Sequence, residues 1–262
     1  MSVVRTDEWL ANSNKHPKEL CEKLTPFFQK ATPHQIYFHL IRHGMYQSNS
    51  GVKQIVEQMK ENNVWKRAEE KYAKLRKEWK GPDIPIFIFP ADWRNRHLHQ
   101  EFNGKGGLAY RNKLFLFLLP HHSNKEIEAL LTHEYNHVCR MAKVGGNENE
   151  YTLLDAMILE GLAEWAVNQF VGESYQANWT TYYSEKQLEK FWQRYLTSYL
   201  SIPRNHPQYD RLLYGGGFYP KMLGYAVGFD VVQRCLKKRD FAFERLMSLP
   251  SEKIVQLAGF SK

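Results

Sequence analysis

The sequence is short of the features that mark several whole classes of protein. Cysteine occurs three times in 262 residues, at Cys21, Cys139 and Cys235. An odd number spread along the chain supports no disulfide framework and fits a reducing compartment. Long apolar runs are missing. The longest, 84–90 and 114–120, fall far short of the roughly 20 residues that a spanning helix needs. The first twenty residues hold no apolar h-region and no small-residue cleavage site, so no secretory leader is expected. No internal repeat or low-complexity linker is visible. Charge of one sign is in modest excess, with Lys+Arg 36 against Asp+Glu 28 and a net charge of +8. That basicity permits weak attraction to nucleic acid or anionic lipid without demanding it. No helix-turn-helix, zinc-finger or RNA-binding fingerprint accompanies it. The expectation is a soluble, cytoplasmic protein with no membrane partner and no nucleic-acid partner.

What is present is ordinary globular composition, 43% hydrophobic and 14% aromatic. The length suffices for one large domain or two small ones around a sizeable core. Residues 15–80 read as helical from their apolar spacing. Within them, 52–80 is a charged stretch with a narrow stripe at Val52, Ile55, Met59, Val64, Ala68, Tyr72, Leu75 and Trp79. It reads as a surface helix packed on one face, because Glu57, Glu61, Glu69, Glu70 and Glu78 cancel the field of the lysines. The texture changes at residue 81. Residues 84–90 are short, β-branched, aromatic and bounded by prolines, which predicts a buried strand. Residues 91–106 read as a loop, and 107–120 as a second strand or hairpin. The rest is mostly helical. The predicted class is α+β, mostly helical with a small sheet. A helical N-terminal part, 1–80, precedes a chemistry-bearing part, 81–262, the two sharing one core.

The chemistry lies at 133–137, His-Glu-Tyr-Asn-His. Histidines at i and i+4 stand one above the other on a helix face, so both imidazoles can reach one metal ion. The glutamate beside the first is placed to act as a general base at the open metal position. Random placement of 11 His and 21 Glu gives about 0.04 such motifs, so context must decide. The context is favourable. Ser123 and Glu126 form a capping box before the motif, Ile127, Leu130, Leu131, Val138 and Met141 supply an apolar face, and Gly145-Gly146 stop the helix.

A catalytic zinc takes three protein ligands and leaves a fourth position for water. Arg140 and Lys143 stand where the metzincin pattern needs Gly and His, which excludes that class. The next helix, 152–171, offers Asp155, Glu160 and Glu164. If it returns antiparallel, His137 lies about 9 Å and His133 about 15 Å from the turn, against about 5, 12 and 18 Å for Asp155, Glu160 and Glu164. Glu160 is level with the histidines and is the expected third ligand, with Glu164 the alternative. Glu164, one turn on, suits the role of accepting the outer N–H of a ligand histidine. The histidines at 97, 99, 121 and 122 read as surface or capping groups. Cys139, about 200° around the helix from His137, reads as a core residue facing away from the metal.

The HEYNH helix, the later LEGLAEW helix, a strand pair and a GYAVGFDVV segment together resemble the YjaZ-like family of predicted zinc-dependent proteases, over roughly 80–236. The resemblance implies a zincin-like fold of gluzincin type, with His133, His137 and Glu160 as ligands of one zinc ion per chain and Glu134 as catalytic base. It implies a zinc metallopeptidase, a hydrolase acting on a peptide or protein substrate. The family's late segment looks like GYxxGY. Here Phe229 takes the second aromatic position, which leaves Tyr225 as the polar group of that segment. Tyr225, Tyr219, Tyr214 and His206 are the candidates to stabilise an oxyanion, and Tyr225 is preferred. The stretch 107–118 would be an edge strand to which an extended peptide could add. Two other functions stay open: a different zinc amide hydrolase on the same scaffold, and a transcriptional regulator or binding protein whose zinc is not catalytic.

Overall fold

Three short strands pair into one sheet. The computed structural model describes residues 2–11, 17–47, 50–146, 150–238 and 243–260, and the side chains of His97 and Lys238 lie outside that description. In chain order the helices before the sheet are α1 (Thr6–Ala11), α2 (Pro17–Leu20), α3 (Pro33–Arg42), α4 (Val52–Glu61) and α5 (Val64–Trp79). The sheet contains β1 (Ile86–Pro90), β2 (Gly106–Tyr110) and β3 (Lys113–Leu118), with α6 (Arg96–Phe102) between the first two. Then follow α7 (Asn124–Val144), α8 (Leu153–Phe170), α9 (Glu185–Phe191), α10 (Tyr209–Tyr214), α11 (Leu223–Lys238), α12 (Phe243–Leu246) and α13 (Ser251–Ala258). The chain is therefore mostly helical with a small sheet, the α+β class expected.

The chain forms two compact units, Met1–Val138 and Cys139–Lys262, and the boundary falls inside α7. In the first unit the strand order is β1-β3-β2, with β1 parallel and β2 antiparallel to β3. Of the stretch expected to be an edge strand, β2 lies at the edge. The β3 part lies in the centre, with every residue from Lys113 to Leu118 buried. Both faces of β1 and β3 are covered, which is why their sequences read as continuous apolar runs rather than alternating ones. One face is aromatic. Phe87 sits opposite Phe115, with centroids 5.0 Å apart. Trp9 and Phe27 pack on Phe87, at 6.1 and 4.8 Å, and Phe28 on Phe115 at 5.8 Å. The N-terminal segment thus forms a layer over the sheet.

The charged stretch 52–80 is two helices rather than one. Asn63 adopts a left-handed φ of 54° and breaks it, a conformation asparagine tolerates better than most residues. The stripe stays inside, with Met59, Val64, Ala68 and Trp79 fully buried. The expected loop at 91–106 also holds a helix, α6. Asn95 caps it by accepting from the Leu98 N–H at 3.0 Å, and Asn103, with φ 53°, ends it. Local capping, not apolar periodicity, makes this helix, so its sequence resembles a loop.

In the second unit α11 packs along α8. The approach is close because both helices carry glycine at the contact. A Cβ on Gly161 would lie 2.4 Å from the Gly228 carbonyl oxygen, and one on Gly228 would lie 2.0 Å from the Met157 carbonyl oxygen. Thr152 and Asp155 form a capping box at the start of α8. Asp155 Oδ1 also accepts from Ser251 Oγ at 2.6 Å, and Ser251 accepts from Arg140 Nη2 at 3.1 Å. The Arg140 guanidinium donates as well to the carbonyls of Met247 and Leu249, each at 3.2 Å. Burial pulls its pKa down to about 10, against the opposing pull of the Asp155 charge. Among the described residues no helix is long and apolar enough to cross a membrane.

Candidate metal centre

Helix α7 begins as its sequence requires. Ser123 accepts from the Glu126 N–H at 3.3 Å, and the Glu126 carboxylate accepts from the Ser123 N–H at 2.8 Å. This closes the capping box and satisfies donors of the first turn. The rotation of the helix is fixed by Tyr135. Its ring stacks on Trp79 at 5.9 Å, meets Tyr72 edge-on at 5.0 Å, and its hydroxyl donates to the Pro82 carbonyl at 2.9 Å. Tyr135 lies about 200° around the helix from His133. Burying the tyrosine against α5 therefore turns His133 and His137 to the opposite side.

The two imidazoles converge. His133 Nε2 and His137 Nε2 are 3.0 Å apart, and the ring planes cross at 84°. His137 is buried, and Glu134 is 8% exposed. One ligand atom from each of His133, His137 and Glu160 lies within 4.8 Å of the others, a grouping that can hold a metal ion. Two imidazole nitrogens and one carboxylate oxygen form the donor set of a zinc site with an open fourth position. Tetrahedral bonds of about 2.05 Å to one zinc would put two nitrogens about 3.3 Å apart, close to the observed spacing.

The other expected residues fall as follows. Tyr225 lies in α11 with its hydroxyl in hydrogen-bond contact with Glu160 and with Tyr214. Burial first, and then the Glu160 charge, hold its pKa well above 10. The rings of Tyr214 and Tyr225 are 5.4 Å apart. Tyr214 is raised by the same two causes in the same order. Tyr219 packs instead on Tyr195, and His206 Nδ1 accepts from the Gln208 N–H. Glu164 is buried, and its Oε2 accepts from the Ala177 N–H at 2.8 Å. His122 is buried as a capping group. Its Nδ1 accepts from the Leu119 N–H at 3.0 Å, and its Nε2 lies 2.8 Å from the Asn103 carbonyl. The expectation for His97 lies outside the described residues. Cys139 is fully buried.

Sequence reasoning missed three glycines. Gly161 follows the candidate ligand Glu160, and Gly228 lies one turn after Tyr225. Their mutual fit is what brings α11 to Glu160. Gly107, in β2, faces Glu134. A signal for it existed, since a glycine inside a strand pattern marks a close approach.

A family model described as "Predicted Zn-dependent protease (DUF2268)" matches residues 64–256. The uncharacterized protein YjaZ of Bacillus subtilis (strain 168) is 38% identical over 255 residues, which cover 96% of this chain and 97% of that protein. The uncharacterized protein YjfC of the same organism is 22% identical over 188 residues, covering 68% of this chain and 62% of that protein. No solved structure matches.

Proposed function

The chain belongs to the family of predicted Zn-dependent proteases, and from that premise we propose that it is a zinc metallopeptidase of gluzincin type on a zincin-like fold. The proposal places the peptidase chemistry in 81–262, after the helical segment 1–80. The observation that carries it is the convergence of His133, His137 and Glu160 with the buried carboxylate of Glu134 on the same helix as the histidines. These three side chains would hold one zinc ion per chain. Zinc, when bound there, supplies Lewis acidity, lowering the pKa of its water toward about 7 and polarising a carbonyl.

The remaining work falls to the chain's own groups. Glu134 takes the proton of the attacking water on its carboxylate and returns it to the leaving amine. A carboxylate held in a largely water-free position does this without reorganising solvent at the moment of reaction. Tyr225, whose hydroxyl lies beside Glu160, donates to the oxyanion that develops on the scissile carbonyl. Glu164 keeps the α8 side of the site in place through the Ala177 N–H, and the proposal retains it as a supporting residue. An extended peptide adds to the outer edge of β2, which among the described residues has no strand beyond it in the sheet. The setting is taken as cytoplasmic, which suits three buried thiols.

Turnover of casein by purified protein tests the reading. Wild type should cleave it, lose activity to a chelator and regain it with zinc. Glu134→Gln should be slower by about 10²–10⁴-fold, and Tyr225→Phe by about 10²-fold or more, both keeping zinc. Equal turnover in wild type and Glu134→Gln would refute the assignment of the base.

A further inference from the structure

The carboxylate of Glu134 occupies the space where residue 107 of the edge strand would carry its side chain. A Cβ built on Gly107 would stand 2.3 Å from both Cδ and Cγ of Glu134 and 2.4 Å from its Oε1. Real Cβ contacts of that length do not occur, so any residue but glycine must move something. The backbone is not the obstacle. Gly107 lies in regular antiparallel register opposite Leu116, and it is not among the positive-φ glycines. An alanine would fit the strand and favour it slightly over glycine. The three nearest atoms all belong to one flexible side chain, which can swing aside. That side chain is the candidate base.

We propose that Gly107 is a positioning residue for Glu134, its missing side chain being the slot that sets the carboxylate against β2. The proposal rests on the reading of Glu134 as general base. The β2 strand then has two tasks at one place. It presents its edge outward, and through Gly107 it fixes the depth to which the base enters. Glu134 is 8% exposed, so a displaced carboxylate would leave a position enclosed by α7 and β2 for one open to water.

The test is a double-mutant cycle of Gly107→Ala and Glu134→Ala, with thermal unfolding measured on the metal-free chain and zinc affinity by chelator competition. Gly107→Ala should lower the unfolding midpoint in the wild-type background and leave it unchanged or raise it when residue 134 is alanine, because the overlap is then gone. Zinc affinity should stay within about twofold of wild type. Casein turnover of Gly107→Ala should fall about 10²-fold, the scale of a misplaced catalytic group, and appear in kcat rather than in KM. A Gly107→Ala protein with wild-type turnover, beside an inactive Glu134→Gln, would overturn the proposal while leaving the base assignment standing. An equal midpoint change in both backgrounds would also overturn it, since the overlap would then lie elsewhere. An active Glu134→Gln would remove the base reading itself, whatever Gly107→Ala does.

Discussion

Replacing Gly228 with alanine puts a methyl group into the tightest helix contact of the second unit. The added carbon would lie 2.0 Å from the Met157 carbonyl oxygen, 2.6 Å from its carbon and 3.0 Å from its Cα. All three atoms are helix backbone, so no side chain can turn away. Ordinary contact begins at 3.4 Å, so α11 and α8 must separate by about 1.4 Å, at an overpacking cost of roughly 1–3 kcal/mol or more. For a chain of this size that corresponds to a midpoint lower by about 2–12 °C. The same separation carries the Tyr225 hydroxyl away from Glu160, because the two contacts lie one helical turn apart on both helices. Calorimetry of the metal-free chain reads the first effect. Casein turnover reads the second, as a loss shared with Gly161→Ala. A Gly228→Ala protein that melts within 1 °C of wild type and turns over casein equally would refute the argument that glycine sets this approach.

Two further outcomes follow from the same structure. Arg140→Met leaves the carbonyls of Met247 and Leu249 and the Ser251 hydroxyl without their buried donor. It should cost about 3 kcal/mol or more in denaturant unfolding, and a loss below about 1 kcal/mol would contradict the network. Burial lowers the pKa of His122 from 6.5, so the folded state prefers the neutral ring. Its contribution is complete above about pH 6.5 and declines as pH falls toward the folded pKa, with a slope of at most about 1.4 kcal/mol per pH unit. Unfolding of wild type and His122→Gln between pH 7.5 and 5 should converge as pH falls, and parallel curves would contradict the assignment.

The strands and the metal-ligand candidates were legible in the sequence for separate physical reasons. β1 and β3 are covered on both faces, and continuous apolar runs between prolines have few other uses. His133 and His137 stand on one helix face through the 3.6-residue period alone. Glu160 follows from rise per residue along two helices joined by a short loop. What stayed hidden was set by local capping or by contacts between distant segments. The break at Asn63 and the helix after Asn95 depend on single asparagines. The slots at Gly107, Gly161 and Gly228 exist only once a second element lies against them, at Glu134, at α11 and at Met157. The Arg140 network joins the ends of α7 and α8 to α13 and has no sequence period at all.

The most direct measurement of the central claim is the zinc content of wild type beside His133→Ala, Glu160→Ala and Glu134→Gln, each purified without chelator. The account predicts about one zinc per chain in wild type and in Glu134→Gln, and far less in His133→Ala and Glu160→Ala. Full zinc in Glu160→Ala would contradict the ligand set, and no zinc in wild type would contradict the metal centre as a whole.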